Sequence, residues 1–176
     1  AVLFTEELQS FLSHQTYQFG TEERYFSGGS IAKAMQTVDQ FSAAGLYAEN
    51  KAIYELLCAG KSMEEDLPDG TRQSFDLSFI DFEHPENNTF QVTDEFEVER
   101  PNGKFARPDI VVLVNGIPLV VIECKKSSVD VMEGVNQNIR NWGEEYIPHL
   151  FRYTQLVLAM NPDKVLYGTC GTPAKY

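Results

Sequence analysis

From Arg107 to Lys126 the chain reads R-P-D-I-V-V-L-V-N-G-I-P-L-V-V-I-E-C-K-K. Two apolar runs, 110–114 and 119–122, flank Asn115-Gly116, and β-branched runs around Asn-Gly predict a β-hairpin. Both runs are apolar on both faces, so the two strands belong in the middle of a covered sheet. Upstream, Phe75, Leu77 and Phe79 alternate with polar residues as far as Phe82, and Phe90, Val92, Phe96 and Val98 alternate across 89–99. These read as half-buried strands that lead into the hairpin as an antiparallel meander. Residues 155–160 (Q-L-V-L-A-M) form a strand that follows a helix. A right-handed crossover makes it parallel to the second hairpin strand. Residues 164–169 read as the last strand.

Helical spacing appears elsewhere. Leu8, Phe11 and Leu12 share one side of a short helix within 1–17, with Thr5 capping it. Residues 20–30, with Gly20, Ser27, Gly28, Gly29 and Ser30, read as a loop. A charge-poor helix is expected over 31–41. The next helix carries Ile53, Leu56 and Leu57 on its buried stripe, with Asn50 as its cap and Gly60 as its stop. After Lys126, Asp130 and Glu133 have the spacing of a capping box. Met132, Val135, Ile139 and Trp142 follow at helical spacing and should pack on the sheet. The expected fold is α/β: a central mixed sheet of about five strands flanked by helices, with a helical N-terminal segment over 1–45 and the main domain over 46–176.

The hairpin also carries three charged groups at its strand ends, Asp109, Glu123 and Lys125. Central strands seldom carry such groups without a chemical reason. Register decides whether they meet. A plain two-residue loop pairs Val114 with Ile117 and puts Asp109 across from Ile122, which sends Glu123 to the opposite face. A three-residue loop, Val114-Asn115-Gly116 with Gly116 in the left-handed position, pairs Asp109 with Val121. Asp109, Glu123 and Lys125 then share one face. The three-residue loop is the expectation, because it gathers the charges into one site. Two carboxylates and an ammonium suit phosphodiester hydrolysis. The acids hold Mg²⁺, which takes oxygen ligands and activates water, and the lysine reaches the water or a phosphate oxygen. The plain alternative is a strand-end ion pair of Lys125 with a carboxylate. Asp81 and Glu83 read as a solvated pair, and Glu55 as a solvated helix charge rather than a metal ligand.

Pro108-Asp109 followed by Glu123-Cys124-Lys125 resembles the PD-(D/E)xK nuclease motif. The longer run resembles one branch of that superfamily, the N-terminal nuclease domain of the type I restriction enzyme R subunit (HsdR). Agreement extends to F-I-D-F at 79–82, P-E-N-N at 85–88, N-Q-N-I-R at 136–140 and Y-G-T at 167–169. The resemblance covers roughly residues 50–176. It implies the restriction-endonuclease-like fold, with Asp109 and Glu123 as Mg²⁺ ligands and Lys125 as a catalytic group. It also implies a Gln-x-x-x-Tyr element, whose glutamine is Gln137; Asn141 stands where the tyrosine would be. Arg140 is a candidate DNA phosphate contact, with an ion pair to Glu144 as the alternative. The implied activity is that of a type I site-specific deoxyribonuclease cutting double-stranded DNA. Its implied partners are methyltransferase and specificity subunits. Rival readings are a repair or junction-resolving nuclease of the same motif and a non-catalytic docking module.

Composition changes this picture in one respect. With 26 acidic residues against 14 Lys and Arg, the net charge is −12. Proteins that hold DNA unaided are usually basic, so delivery of DNA by a larger assembly is expected. No G-x-x-x-x-G-K-[ST] phosphate loop is present, so ATP would act only through a motor outside residues 1–176. Cys58, Cys124 and Cys170 are far apart and odd in number, which suggests a reducing cytoplasm. No run is long and apolar enough for a membrane span.

Overall fold

The computed structural model describes residues 2–40 and 44–174. In chain order it holds α1 (Thr5–Ser13), a hairpin of β1 (Thr16–Phe19) and β2 (Glu22–Tyr25), α2 (Gly28–Asp39) and α3 (Leu46–Ala59). A second hairpin, β3 (Lys61–Asp66) and β4 (Arg72–Leu77), precedes β5 (Phe90–Asp94). The short pair β6 (Val98–Glu99) and β7 (Phe105–Ala106) then leads to β8 (Ile110–Val114) and β9 (Ile117–Cys124). The chain closes with α4 (Val131–Asn141), α5 (Pro148–Phe151), β10 (Leu156–Met160) and β11 (Val165–Gly168).

Five strands form the central sheet in the order β11-β10-β9-β8-β5. β9 and β10 run parallel, joined by the crossover through α4, and the other pairs are antiparallel. The expected α/β class, the mixed sheet and the parallel crossover are all present. Val111, Leu113, Ile117 and Val121 of the hairpin are fully buried. Each contributes about 1.5–3 kcal/mol relative to exposure, which keeps β8 and β9 at the centre. Asp130 caps α4 by accepting the Met132 N–H at 2.9 Å.

The N-terminal part shares this core. Leu8 and Leu12 of α1 are fully buried in the same cluster as Val111 and Ile117. The Phe4 N–H donates to the Gly116 carbonyl at 2.9 Å, fastening the chain before α1 to the turn of the central hairpin. A Cβ at Gly116 would overlap the Phe4 carbonyl oxygen, and its φ of +77° favours glycine independently.

Several local expectations fail. Thr5 is the first helical residue, and α1 has no side-chain cap. Residues 20–30 are not a loop: β2 and the start of α2 occupy most of them, with Ser27 capping α2 through Ser30 N at 3.2 Å. The expected helix end at Phe41 lies outside the described residues. Asn50 caps nothing. It lies buried inside α3, and its Nδ2 donates to the carbonyls of Phe151, Arg152 and Thr154. The strand expected through Phe82 ends at Leu77 and pairs with β3, outside the central sheet. The 89–99 strand breaks at Glu95, where φ is +46°, and resumes as β6 against β7.

Candidate active site

The hairpin turn is a two-residue turn, not the expected three-residue loop. Asn115 and Gly116 both take positive φ (51° and 77°), and Val114 pairs with Ile117. Two residues with φ > 0 define the primed turn that suits the right-handed twist of hairpins. The residue that shifts the phase lies further along. Leu113 pairs with Pro118 and Val112 with Val120, so Leu119 is a bulge with no partner on β8. Its carbonyl instead accepts the Gln155 N–H at 2.8 Å. Beyond the bulge Ile110 faces Ile122. One more step of that register sets Asp109 against Glu123, so the two acids share a face by a different route.

Glu123 is fully buried. Its Oε2 accepts the Gln137 Nε2–H at 2.6 Å, and Gln137 Oε1 in turn accepts from Lys125 Nζ at 2.7 Å. Lys125 Nζ lies 3.8 Å from Glu123 Oε2, with its side chain 17% exposed. Gln137 therefore bridges the carboxylate and the ammonium and fixes both. Asp109 is held from the other side, where its Oδ2 accepts the Cys124 N–H at 2.7 Å. Burial, and then the charge of Asp109, push the Glu123 acid up to about 8 against the pull of Lys125 and Arg140. Burial likewise raises the Cys124 thiol, followed by the same two acids.

Glu123 Oε1 is buried and has no hydrogen-bond donor. A carboxylate oxygen without a donor, next to a second carboxylate, needs either a proton or a cation. Among the described residues no group of three or more His, Cys, Asp or Glu side chains is placed to hold a metal. The protein thus offers two hard oxygens, a set that suits Mg²⁺, which keeps several of its waters. It does not suit a closed structural site.

All four residues expected in the catalytic group, Asp109, Glu123, Lys125 and Gln137, therefore meet. Arg140 lines the same cleft as Lys125 and Gln137. It forms no ion pair with Glu144 among the described residues; its Cζ sits 5.5 Å from the Tyr146 ring centroid. Glu55 stays on the exposed side of α3, 3.7 Å from Lys51. Asp81 organises a turn, accepting from Asn87 Nδ2, His84 N and Glu83 N, and those bonds, led by Asn87, hold its acid below the usual range. Asn141 is buried, and its backbone carbonyl accepts the Ile147 N–H.

Two contributors went unread in the sequence. Gly134 brings α4 close to the sheet: a Cβ there would lie 3.0 Å from Ala159 Cβ, 3.5 Å from Glu123 Cβ and 3.6 Å from Lys125 Cε. A glycine inside an amphipathic helix was its available signal. Tyr146, outside any helix or strand, left no periodic signal.

The family described as "Type I restriction enzyme R protein N terminus" matches residues 4–176. The chain belongs to that family. The match takes in α1, the β1–β2 hairpin and α2, where no motif had carried the resemblance. A Methanocaldococcus jannaschii protein named as the endonuclease subunit of type I restriction enzyme MjaIXP is 32% identical over 141 residues. That stretch is 78% of this chain and 13% of that protein. The endonuclease subunit of type I restriction enzyme SauCOLORF180P of Staphylococcus aureus is 32% identical over 122 residues, 68% of this chain and 12% of that protein. The HindI endonuclease subunit of Haemophilus influenzae is 30% identical over 132 residues, 73% and 12% respectively. The chain thus spans roughly an eighth of the length of these R-protein relatives. No helix among its described residues is long and apolar enough to cross a membrane.

Proposed function

We propose that this chain is the Mg²⁺-dependent endonuclease domain of a type I restriction R subunit, hydrolysing phosphodiester bonds of double-stranded DNA. The observation that carries the reading is the bridge from Glu123 through Gln137 to Lys125, beside a carboxylate oxygen that has no donor. Asp109 and Glu123 would hold the cation. When bound, it supplies an activated water and offsets the charge that develops on the phosphate. Lys125 is turned into the cleft by Gln137, where its Nζ donates to the attacking water or to a phosphate oxygen. Gln137 holds that ammonium and keeps the Glu123 carboxylate from rotating. Cys124 N–H fixes the Asp109 carboxylate from behind.

The remaining functions of the subunit fall to other parts of a longer polypeptide and to its partners. An ATP-driven motor delivers the DNA, and methyltransferase and specificity subunits choose where the complex binds. An acidity of −12 supports this division, since the domain attracts free DNA poorly. A cytoplasmic location fits action on DNA and is in keeping with three free cysteines.

The test is Lys125→Ala and Asp109→Ala in the assembled restriction complex. Each variant should lose DNA cleavage, the lysine variant by ~100-fold or more, while ATP hydrolysis persists. A folded Lys125→Ala complex that cuts at the wild-type rate would make the lysine a structural ion-pair partner and end the catalytic reading.

A further inference from the structure

Tyr146 has two guanidinium groups over its ring. Arg100 Cζ lies 4.2 Å from the ring centroid and Arg140 Cζ 5.5 Å from it. Both fall within the ~6 Å over which a cation is attracted to an aromatic face. The two arginines come from distant parts of the chain. Arg100 follows β6 in the small hairpin before β8, and Arg140 sits in the last turn of α4. The ring they share is firmly placed: the Tyr146 N–H donates to the Gly143 carbonyl at 2.9 Å, and the next residue, Ile147, is fully buried. Arg100 is oriented by a 3.3 Å bond from its Nε to the Glu145 carbonyl.

Charge makes this arrangement unusual. Arg24, Arg72, Arg107 and Arg152 each form an ion pair with a carboxylate. Arg100 and Arg140 form none among the described residues, in a chain with nearly two acidic residues for each Lys or Arg. Two guanidinium groups held over one ring repel each other to some degree, and an anion within reach of both relieves that repulsion. A ring quadrupole offsets part of that repulsion and aims both forks. It does not neutralise them. A guanidinium fork matches a phosphate with two parallel hydrogen bonds, which an ammonium cannot do.

Arg140 also lines the cleft beside Lys125, Lys126 and Gln137. Basic groups therefore run from the cleavage cleft, where Lys125 faces Glu123 and Glu133 shares the lining, to Arg140 and on to Arg100. We propose that Arg100 and Arg140, propped by Tyr146, form a subsite for the DNA backbone phosphates that flank the bond to be cut. This rests on the nuclease reading of the cleft and extends it to two residues, Arg100 and Tyr146, that lie outside the catalytic group. With arginines over its ring, Tyr146 props rather than stacks on a base, so the subsite reads backbone and not sequence.

The test measures binding of a labelled duplex of about 20 base pairs to the 176-residue chain by fluorescence anisotropy. EDTA prevents cleavage, and potassium chloride is varied. Each neutralised phosphate contributes about 0.9 to the slope of log affinity against log salt. Arg100→Gln and Arg140→Gln should each reduce the slope by about that amount. Tyr146→Ala should weaken binding as the arginine variants do, and Tyr146→Phe, which keeps the ring, should bind like the wild type. A folded Arg100→Gln chain with the wild-type slope would overturn the subsite. Equal losses in Tyr146→Phe and Tyr146→Ala would overturn the propping role. Both results are independent of the Lys125→Ala cleavage test, so the subsite can fail while the nuclease reading stands, and the two failures are told apart.

Discussion

Asp109 faces Glu123 although Glu123 is one residue further from the hairpin turn, because unpaired Leu119 absorbs the difference. The turn and the bulge together bring two carboxylates to one place, where their mutual repulsion becomes a property of the folded state.

Burial of Glu123, and after it that repulsion, makes stability depend on pH. The Glu123 acid is raised from 4.5 to about 8 by burial and by Asp109. Between those values the unfolded chain has lost the proton and the native chain keeps it. Stability of the metal-free protein should therefore fall as pH rises from about 4.5 to about 8, by an amount on the order of 5 kcal/mol. Glu123→Gln should flatten this part of the profile and melt higher than wild type at pH 8. Mg²⁺ at pH 8 should raise the wild-type melting temperature and leave that of Glu123→Gln nearly unchanged. Melting curves in EDTA across this range decide the matter; a wild-type stability that rises with pH would contradict it.

Gln137 holds both ends of the charged pair, so its removal should be felt by both. Gln137→Ala should weaken divalent-ion affinity by roughly 10–100-fold, the usual effect of losing a residue that orients a ligand. Cleavage should fall with it. Calorimetric titration with Mn²⁺, alongside cleavage rates in the complex, checks both. Wild-type values in each would reduce Gln137 to an ordinary helix residue.

How much of this was readable differs by element. The hairpin was, because its apolar runs and Asn-Gly carry strong local signals, and so was the face shared by Asp109, Glu123 and Lys125. The route was not: a bulge at Leu119 is an apolar residue among apolar residues, and the partner of its carbonyl is Gln155, just before β10 and far away in sequence. The β3 strand was missed because its sequence, K-S-M-E-E-D, is mostly polar. Its inward residues are Met63 and Glu65, and Glu65 is buried by accepting from the Ser27 N–H and hydroxyl. Asn50 looked like a helix cap because that is the commonest local use of Asn. Its actual partners lie about a hundred residues away.

Asn115 should be costly to replace for a reason separate from its turn geometry. Its buried side chain donates to the Phe79 carbonyl and Asn88 Oδ1 and accepts the Thr89 N–H. Asn115→Ala would leave buried groups unpaired at about 1–3 kcal/mol each. A total loss of at least ~3 kcal/mol is expected in urea unfolding. A loss under 1 kcal/mol would mean that water replaces the amide.

Gly134→Ala sets two effects against each other. Alanine is favoured in a helix interior by about 1 kcal/mol. Its methyl, however, would press on Ala159 and approach Glu123 and Lys125. Stability should change by less than ~1 kcal/mol, while cleavage in the complex should fall at least tenfold as Lys125 and Gln137 move apart. An unchanged cleavage rate would show that α4 can shift without disturbing the pair.

The bond between Phe4 and Gly116 has a consequence for synthesis. Phe4 leaves the ribosome more than a hundred residues before the turn that receives it. At about 5–20 residues per second, the α1 segment waits several seconds with Leu8 and Leu12 lacking their final partners. The hairpin, once made, can zip locally in microseconds, but its turn is sealed only when the earlier-made α1 segment returns to it. A nascent chain stalled within β8 should therefore remain protease-sensitive in α1, and release of a few dozen further residues should protect both regions together.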